Sequence, residues 1–170
     1  MTDARRPGLF LSFEGMDGSG KTTQMRLLID RLRAEGYDLL ETAEPGGTPI
    51  GLQIRKILLD SANQELSSRA ELLLYFACRA QNVDQWIRPA LADGRIVVSD
   101  RFTDSTLAYQ AVGRGLGEEI VREVHRFACR EVQPDLTVYL DVDRDVGLAR
   151  ARARNQERAA AAAQDETRID

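Results

Sequence analysis

Cysteine is scarce: Cys78 and Cys129 are the only two among 170 residues. Two thiols cannot build a disulfide framework, so a reducing cytoplasm is the expected compartment. Long hydrophobic runs are missing too. No stretch of about 18 apolar residues occurs, so no membrane-spanning helix and no membrane partner is expected. Residues Met1–Gly8 are polar, contain Arg5, Arg6 and Pro7, and lack the apolar centre of a secretory signal. They are expected to form a flexible N-terminus. Neither sign of charge is in large excess: Lys+Arg 23 against Asp+Glu 27 leaves −4. That balance argues against a general nucleic-acid partner, and any anionic ligand must be held by a local cluster of positive groups. Histidine occurs once, at His125 between Arg122 and Arg126, which reads as a surface or boundary position. No Cys/His metal spacing exists. What remains is ordinary: 43% hydrophobic and 29% charged residues, enough for the core of one domain.

Short apolar runs alternate with longer helical ones. Leu9–Glu14, Asp38–Thr42, Arg95–Asp100 and Leu136–Leu140 read as strands. Helical spacing covers Thr22–Glu35, Pro49–Asp60, Ser105–Val112, Glu118–Val132 and Val146–Arg154. Ser68-Arg-Ala-Glu71 reads as a capping box opening a helix to about Ala92, bent near Pro89. Alternation of this kind predicts an α/β fold with a mainly parallel sheet flanked by helices in three layers. After Ala159–Ala163 the chain reaches Asp170 in what reads as the start of a new helix. A closing strand and helix expected for the architecture are not seen.

The strongest local signal is Gly15-Met16-Asp17-Gly18-Ser19-Gly20-Lys21-Thr22, which fits G-x-x-x-x-G-K-[ST] between a strand run and a helix. Glycines let successive backbone N–H groups turn toward phosphate oxygens, and the helix N-terminus adds partial positive charge. Lys21 supplies a full charge for the β- and γ-phosphates, and the Thr22 hydroxyl is the expected Mg2+ ligand. Ligands of open parallel sheets gather beyond the carboxyl ends of the strands. Asp100, ending its strand run, is therefore placed near Mg2+, directly or through water, and Arg101 to grip a second phosphate.

Several separated blocks together resemble the thymidylate kinase family of the bacterial type. They are Phe13–Thr23, Glu44–Thr48, Leu72–Gln81, Ser99–Gln110 with Gly113–Gly115, Pro134–Val142 and Gly147–Arg154. The resemblance implies a P-loop kinase fold over residues 9–170 with an Arg-rich lid at about 147–165. It implies transfer of the ATP γ-phosphoryl group to dTMP, with Mg2+ as cofactor and a homodimer as the working form. Gly15, Met16, Asp17, Gly18, Ser19, Gly20, Lys21 and Thr22 would then hold ATP, assisted by Arg152 and Arg158. Lys21, Arg101, Asp17, Arg150 and Arg154 would be catalytic. Which lid arginine meets phosphate is left open; for any one of them the alternative is a solvated helix face.

The resemblance also assigns the acceptor side. Tyr75 would stack on the base and Arg79, one turn on, would donate to its edge, with Phe76 left to the core. Ser105 and Thr106 would line the base and phosphate, Tyr109 the deoxyribose, and Gln110 the same pocket. Glu44, Pro45 and Gly46 would form its wall and Arg55 would grip the acceptor phosphate. Trp86 would sit in a dimer interface or in the core. Three departures stand out: Ala43 where relatives carry arginine, Gly18 where some carry a loop arginine, and Thr167-Arg168-Ile169 where an aspartate-arginine pair is usual. Two other readings stay open: a kinase of a deoxynucleoside or other nucleotide, and a nucleotide-binding module with impaired catalysis.

Overall fold

The computed structural model describes residues 8–166, with side chains as far as residue 157. The expected flexible N-terminus, Gly8 apart, and the Thr167-Arg168-Ile169 departure lie outside those bounds. Four strands, β1 (Leu9–Glu14), β2 (Leu39–Ala43), β3 (Ile96–Asp100) and β4 (Leu136–Tyr139), form one sheet in the order β2-β3-β1-β4. Every neighbouring pair is parallel. Parallel strands need a crossover between them, which is why helices separate all four in sequence.

Among the described residues seven α-helices flank the sheet: α1 (Lys21–Ala34), α2 (Pro49–Leu59), α3 (Ser68–Asn82), α4 (Arg88–Ala92), α5 (Thr103–Thr106), α6 (Glu118–Cys129) and α7 (Arg144–Glu166). Side chains alternate across the strands, so register partners share a face. Phe10 opposes Val97, and both enter a core with Leu72, Phe76, Val83, Ile87, Phe102 and Val121. Leu11 opposes Val98, and both pack with Phe13, Met25 and Ile29 of α1 on the opposite face. Phe13 and Ala43 are each in register with Asp100, so β2 and β3 end level and β1 runs one residue further. Their following residues, Gly15, Glu44 and Arg101, therefore emerge at one edge.

Several local expectations are corrected. The cap of α3 is Ser67, whose hydroxyl accepts from the Ala70 N–H at 3.3 Å, one residue before the expected Ser68. The long helix does not run straight to Ala92. A π-helical turn, Val83–Ile87, precedes α4, and Pro89, near the start of α4, supplies the reason: it has no N–H and crowds the carbonyl four residues back. A second π-helical segment, Leu107–Gly113, continues α5 where an α-helix over Ser105–Val112 was expected. Helix α6 stops at Cys129 because Arg130 and Glu131 both adopt positive φ. The expected helix over Val146–Arg154 is longer, and the segment read as a new helix continues it to Glu166.

Candidate active site

The phosphate loop is shaped by its own backbone and by Lys21. Gly20 holds φ 94°, a left-handed turn that starts α1 with no side-chain cap. The first N–H groups of α1 are thus left for an anion. Lys21 lies against the same loop, its Nζ donating to the carbonyls of Gly15 at 2.8 Å and Met16 at 2.9 Å. Burial, with the Arg101 guanidinium nearby, lowers the Lys21 pKa. An incoming polyanion would meet a desolvated charge rather than a hydrated one.

Gly18 has φ +82°, and a Cβ there would stand 2.1 Å from the carbonyl oxygen of Gly147 in α7. A loop arginine at this position would collide with the backbone of α7, which accounts for that departure. Gly147 in turn packs on the Met16 side chain. Met16 is therefore turned toward α7, and Arg150 and Arg154 line the space above the loop.

Asp100 and Thr22 meet at the mouth of this space, the hydroxyl donating to Asp100 Oδ2 at 3.4 Å. The other oxygen, Oδ1, is buried without a partner. A lone carboxylate, a hydroxyl and an unfilled lone pair suit a cation that takes its remaining ligands from water and phosphates, as Mg2+ does. Among the described residues no group of three or more His, Cys, Asp or Glu side chains forms a metal cage. The donor set therefore fits Mg2+ bound together with a nucleotide and does not fit an all-protein site.

Arg101 is the pivot. It is a non-glycine residue at φ 74°, a conformation that persists only where its surroundings enforce it. Its guanidinium donates to Ser105 Oγ at 2.9 Å, to the Gly15 carbonyl at 3.1 Å and to Asp17 Oδ1 at 2.7 Å. It also lies 5.6 Å from the Tyr109 ring centroid.

Two cavities meet there. One, of about 760 Å³, is floored by the loop and bounded by Asp100, Arg150 and Arg154. The other, of about 570 Å³, is lined by Tyr75, Arg79, Ser105, Thr106, Tyr109 and Gln110 among others. Asp17, Glu44, Pro45, Arg55 and Arg101 line both. Gly46 lines only the first, although it was expected on the acceptor wall. Gly15, Met16, Ser19 and Arg152 line neither. The side chain of Arg158 lies outside the described residues.

The wall of the second cavity rests on Arg79, which is 2% exposed. Its guanidinium pairs with Glu44, donates to the Phe102 carbonyl at 3.1 Å and to Thr106 Oγ1 at 2.9 Å, and is flanked by the Phe76 and Phe102 rings. One nitrogen, Nη1, is buried without a partner. Burial pushes the Glu44 carboxyl up, and the Arg79 charge pulls against that push. The Glu44 side chain is thus committed to Arg79 and to Asn82. Arg55 Nη1 donates to the Pro45 carbonyl at 2.6 Å. Phe76 is buried in the core, whereas Tyr75 faces the cavity.

Four groups were not singled out from sequence: Glu14, Glu71, Phe102 and Arg114. Glu71 accepts from Gln110 at 2.8 Å and from Arg114 at 2.7 Å, closing the far end of the second cavity. Its acidity is a signal only once Arg114 is brought beside it. His125 is a further correction. It is buried at 5% exposure, bonded to Thr103 Oγ1 at 2.9 Å and packed edge-on against Phe76 and Phe102. Trp86 is 40% exposed and so not a core residue.

A phosphate loop opening a parallel sheet, with a second nucleotide-sized cavity facing it across Arg101, defines a P-loop kinase-type fold. The family model described as "Thymidylate kinase" matches residues 13–169. A thymidylate kinase of Pelobacter propionicus is 53% identical over 147 residues, covering 86% of this chain and 67% of that one. One of Ectopseudomonas mendocina is 50% identical over 149 residues, covering 88% and 71%. The crystal structure of thymidylate kinase from Ehrlichia chaffeensis superposes with a TM-score of 0.76 at 38% identity, covering 91% of this chain and 87% of that one. The chain belongs to the thymidylate kinase family.

Proposed function

We infer that this chain transfers the γ-phosphoryl group of ATP to the 5′-phosphate of dTMP, giving dTDP and ADP. The observation that carries the reading is the pair of facing cavities sharing Asp17, Arg55 and Arg101. Phosphoryl transfer asks the protein mainly to align two anions and to neutralise the charge between them. ATP takes the larger cavity, its phosphates on the loop amides and Lys21. The nucleotide monophosphate takes the smaller, its base between Tyr75 and the free Nη1 of Arg79, with its sugar beside Tyr109 and Asp17. Arg101 reaches both phosphates, Arg55 holds the acceptor, and Arg150 or Arg154 approaches from the lid. Mg2+, held by Thr22 and Asp100 directly or through water, supplies counter-charge to the ATP phosphates when bound.

We place the protein in the cytoplasm on its two free buried thiols. Among the described residues, no helix is long and apolar enough to cross a membrane. We take residues 9–170 as one kinase domain with a lid beginning at Gly147. We also propose a homodimer. Helices α2, α3 and α6 pack side by side, and Ile57, Leu73 and Phe127 stand exposed on them, which a second copy would cover.

ADP release tests the reaction: dTMP supports it, thymidine does not, and Lys21→Ala removes it. A deoxynucleoside kinase would need no second anion clamp, so turnover of thymidine in preference to dTMP overturns the reading. Binding of both nucleotides with no turnover would favour an impaired module instead.

A further inference from the structure

We propose that Glu14 is a positioning residue for Arg101, acting on both its side chain and its backbone. This rests on the reading that Arg101 grips phosphate. Glu14 ends β1, one residue before the phosphate loop, and is 4% exposed. Its two carboxylate oxygens are used separately. Oε2 accepts from the Ser105 hydroxyl at 2.5 Å, and Ser105 Oγ in turn accepts from Arg101 Nη1 at 2.9 Å. Oε1 accepts the Phe102 N–H at 2.7 Å, the peptide that follows Arg101.

The backbone arm matters because Arg101 stands at φ 74°. Three bonds hold that strained residue: its N–H to the Phe13 carbonyl at 2.9 Å, its carbonyl from Ser99 Oγ at 2.7 Å, and the next N–H to Glu14. Two of the three come from side chains. The side-chain arm is a relay from guanidinium to hydroxyl to carboxylate, in which the hydroxyl gives its proton to Glu14 and so is held with its lone pairs toward Arg101. Glu14 lines neither of the two cavities, so it acts on the chemistry through the groups it holds, of which Arg101 is the one that faces both.

Glu14→Gln keeps the shape but offers one acceptor oxygen for two donors. It should lower kcat about ten- to a hundredfold, the equivalent of one or two lost bonds to a charged group, while the KM for ATP stays within about twofold. The decisive comparison is made in an Arg101→Ala background. If Glu14 works through Arg101, Glu14→Gln costs less than about twofold there. Full additivity, or wild-type kcat in the single variant, overturns the proposal. Should Glu14→Gln fail to fold, Ser105→Ala breaks the same relay, and its loss must likewise shrink in the Arg101→Ala background. A readout independent of turnover is the guanidinium Nε–H resonance that disappears in Arg101→Ala. Glu14→Gln should shift or broaden it, and an unchanged resonance refutes the contact's role. If the wild-type chain is inactive on dTMP while Glu14→Gln still changes this resonance, the kinase reading falls and the Glu14 contact stands.

Discussion

Replacing Arg79 with methionine separates the structural and recognition roles of one buried side chain. The substitution keeps an apolar stem between the Phe76 and Phe102 rings but removes the guanidinium, which has both rings at 5.0 Å. Glu44, also buried, then loses its ion-pair partner. Breaking such a pair from one side costs ~3–5 kcal/mol. For a chain of this size that lowers the unfolding midpoint by about 6–20 °C. The deficit depends on pH with a definite sign. Burial already pushes the Glu44 carboxyl above its ordinary range, and without Arg79 nothing as strong opposes it. A protonated Glu44 carries no charge to leave unpaired, so the deficit shrinks as pH falls and grows as pH rises. Recognition is affected separately. Loss of the unpartnered Nη1 donor should raise the KM for dTMP by about 5- to 150-fold, ~1–3 kcal/mol, with ATP nearly unaffected. Adding Glu44→Gln should recover stability but not dTMP affinity. Differential scanning fluorimetry at pH 5.5 and 8 and initial-rate kinetics read the two effects. Equal deficits at both pH values, or equal weakening of both nucleotides, would refute the reasoning.

His125 makes a second, acid-side prediction. Burial lowers its pKa from 6.5 to about 4, so the unfolded chain binds a proton there before the folded one does. Stability is thus lost as pH falls from about 6.5 toward 4, by up to ~3 kcal/mol. His125→Gln should flatten that part of the pH–stability curve, and an unchanged slope contradicts it. Gly18→Ala meets the Gly147 carbonyl and a left-handed φ together. It should destabilise the loop by at least ~1–2 kcal/mol and cut kcat far more than dTMP affinity, as measured by rates beside dTMP titration. Full activity with α7 in the same place in a crystal structure would contradict it.

Much of this architecture was readable because its signals are local. Each strand is a short apolar run, and Gly20-Lys21-Thr22 marks a strand-to-helix turn by composition alone. Tyr75 and Arg79, one helical turn apart, line the same cavity, and Phe76 lies in the core as expected. The π-helical turns were not legible, since one residue more per turn leaves almost no trace in a hydrophobic pattern; Pro89 marked the disturbance but not its form. His125 was misread through its arginine neighbours, although Val121 and Cys129, one turn to either side, share its buried face. Glu14 and Glu71 escaped because their partners lie 91 and 43 residues away, at Ser105 and Arg114. A carboxylate gains such a role only when the sheet and its crossovers bring a distant donor beside it.

Simultaneous occupancy is the claim most directly open to measurement. Calorimetric titration of dTMP into protein saturated with Mg2+ and a non-hydrolysable ATP analogue should give one dTMP per chain, at an affinity no weaker than without the analogue. Competition between the two nucleotides, or a single site shared by both, would contradict the arrangement of two seats across Arg101.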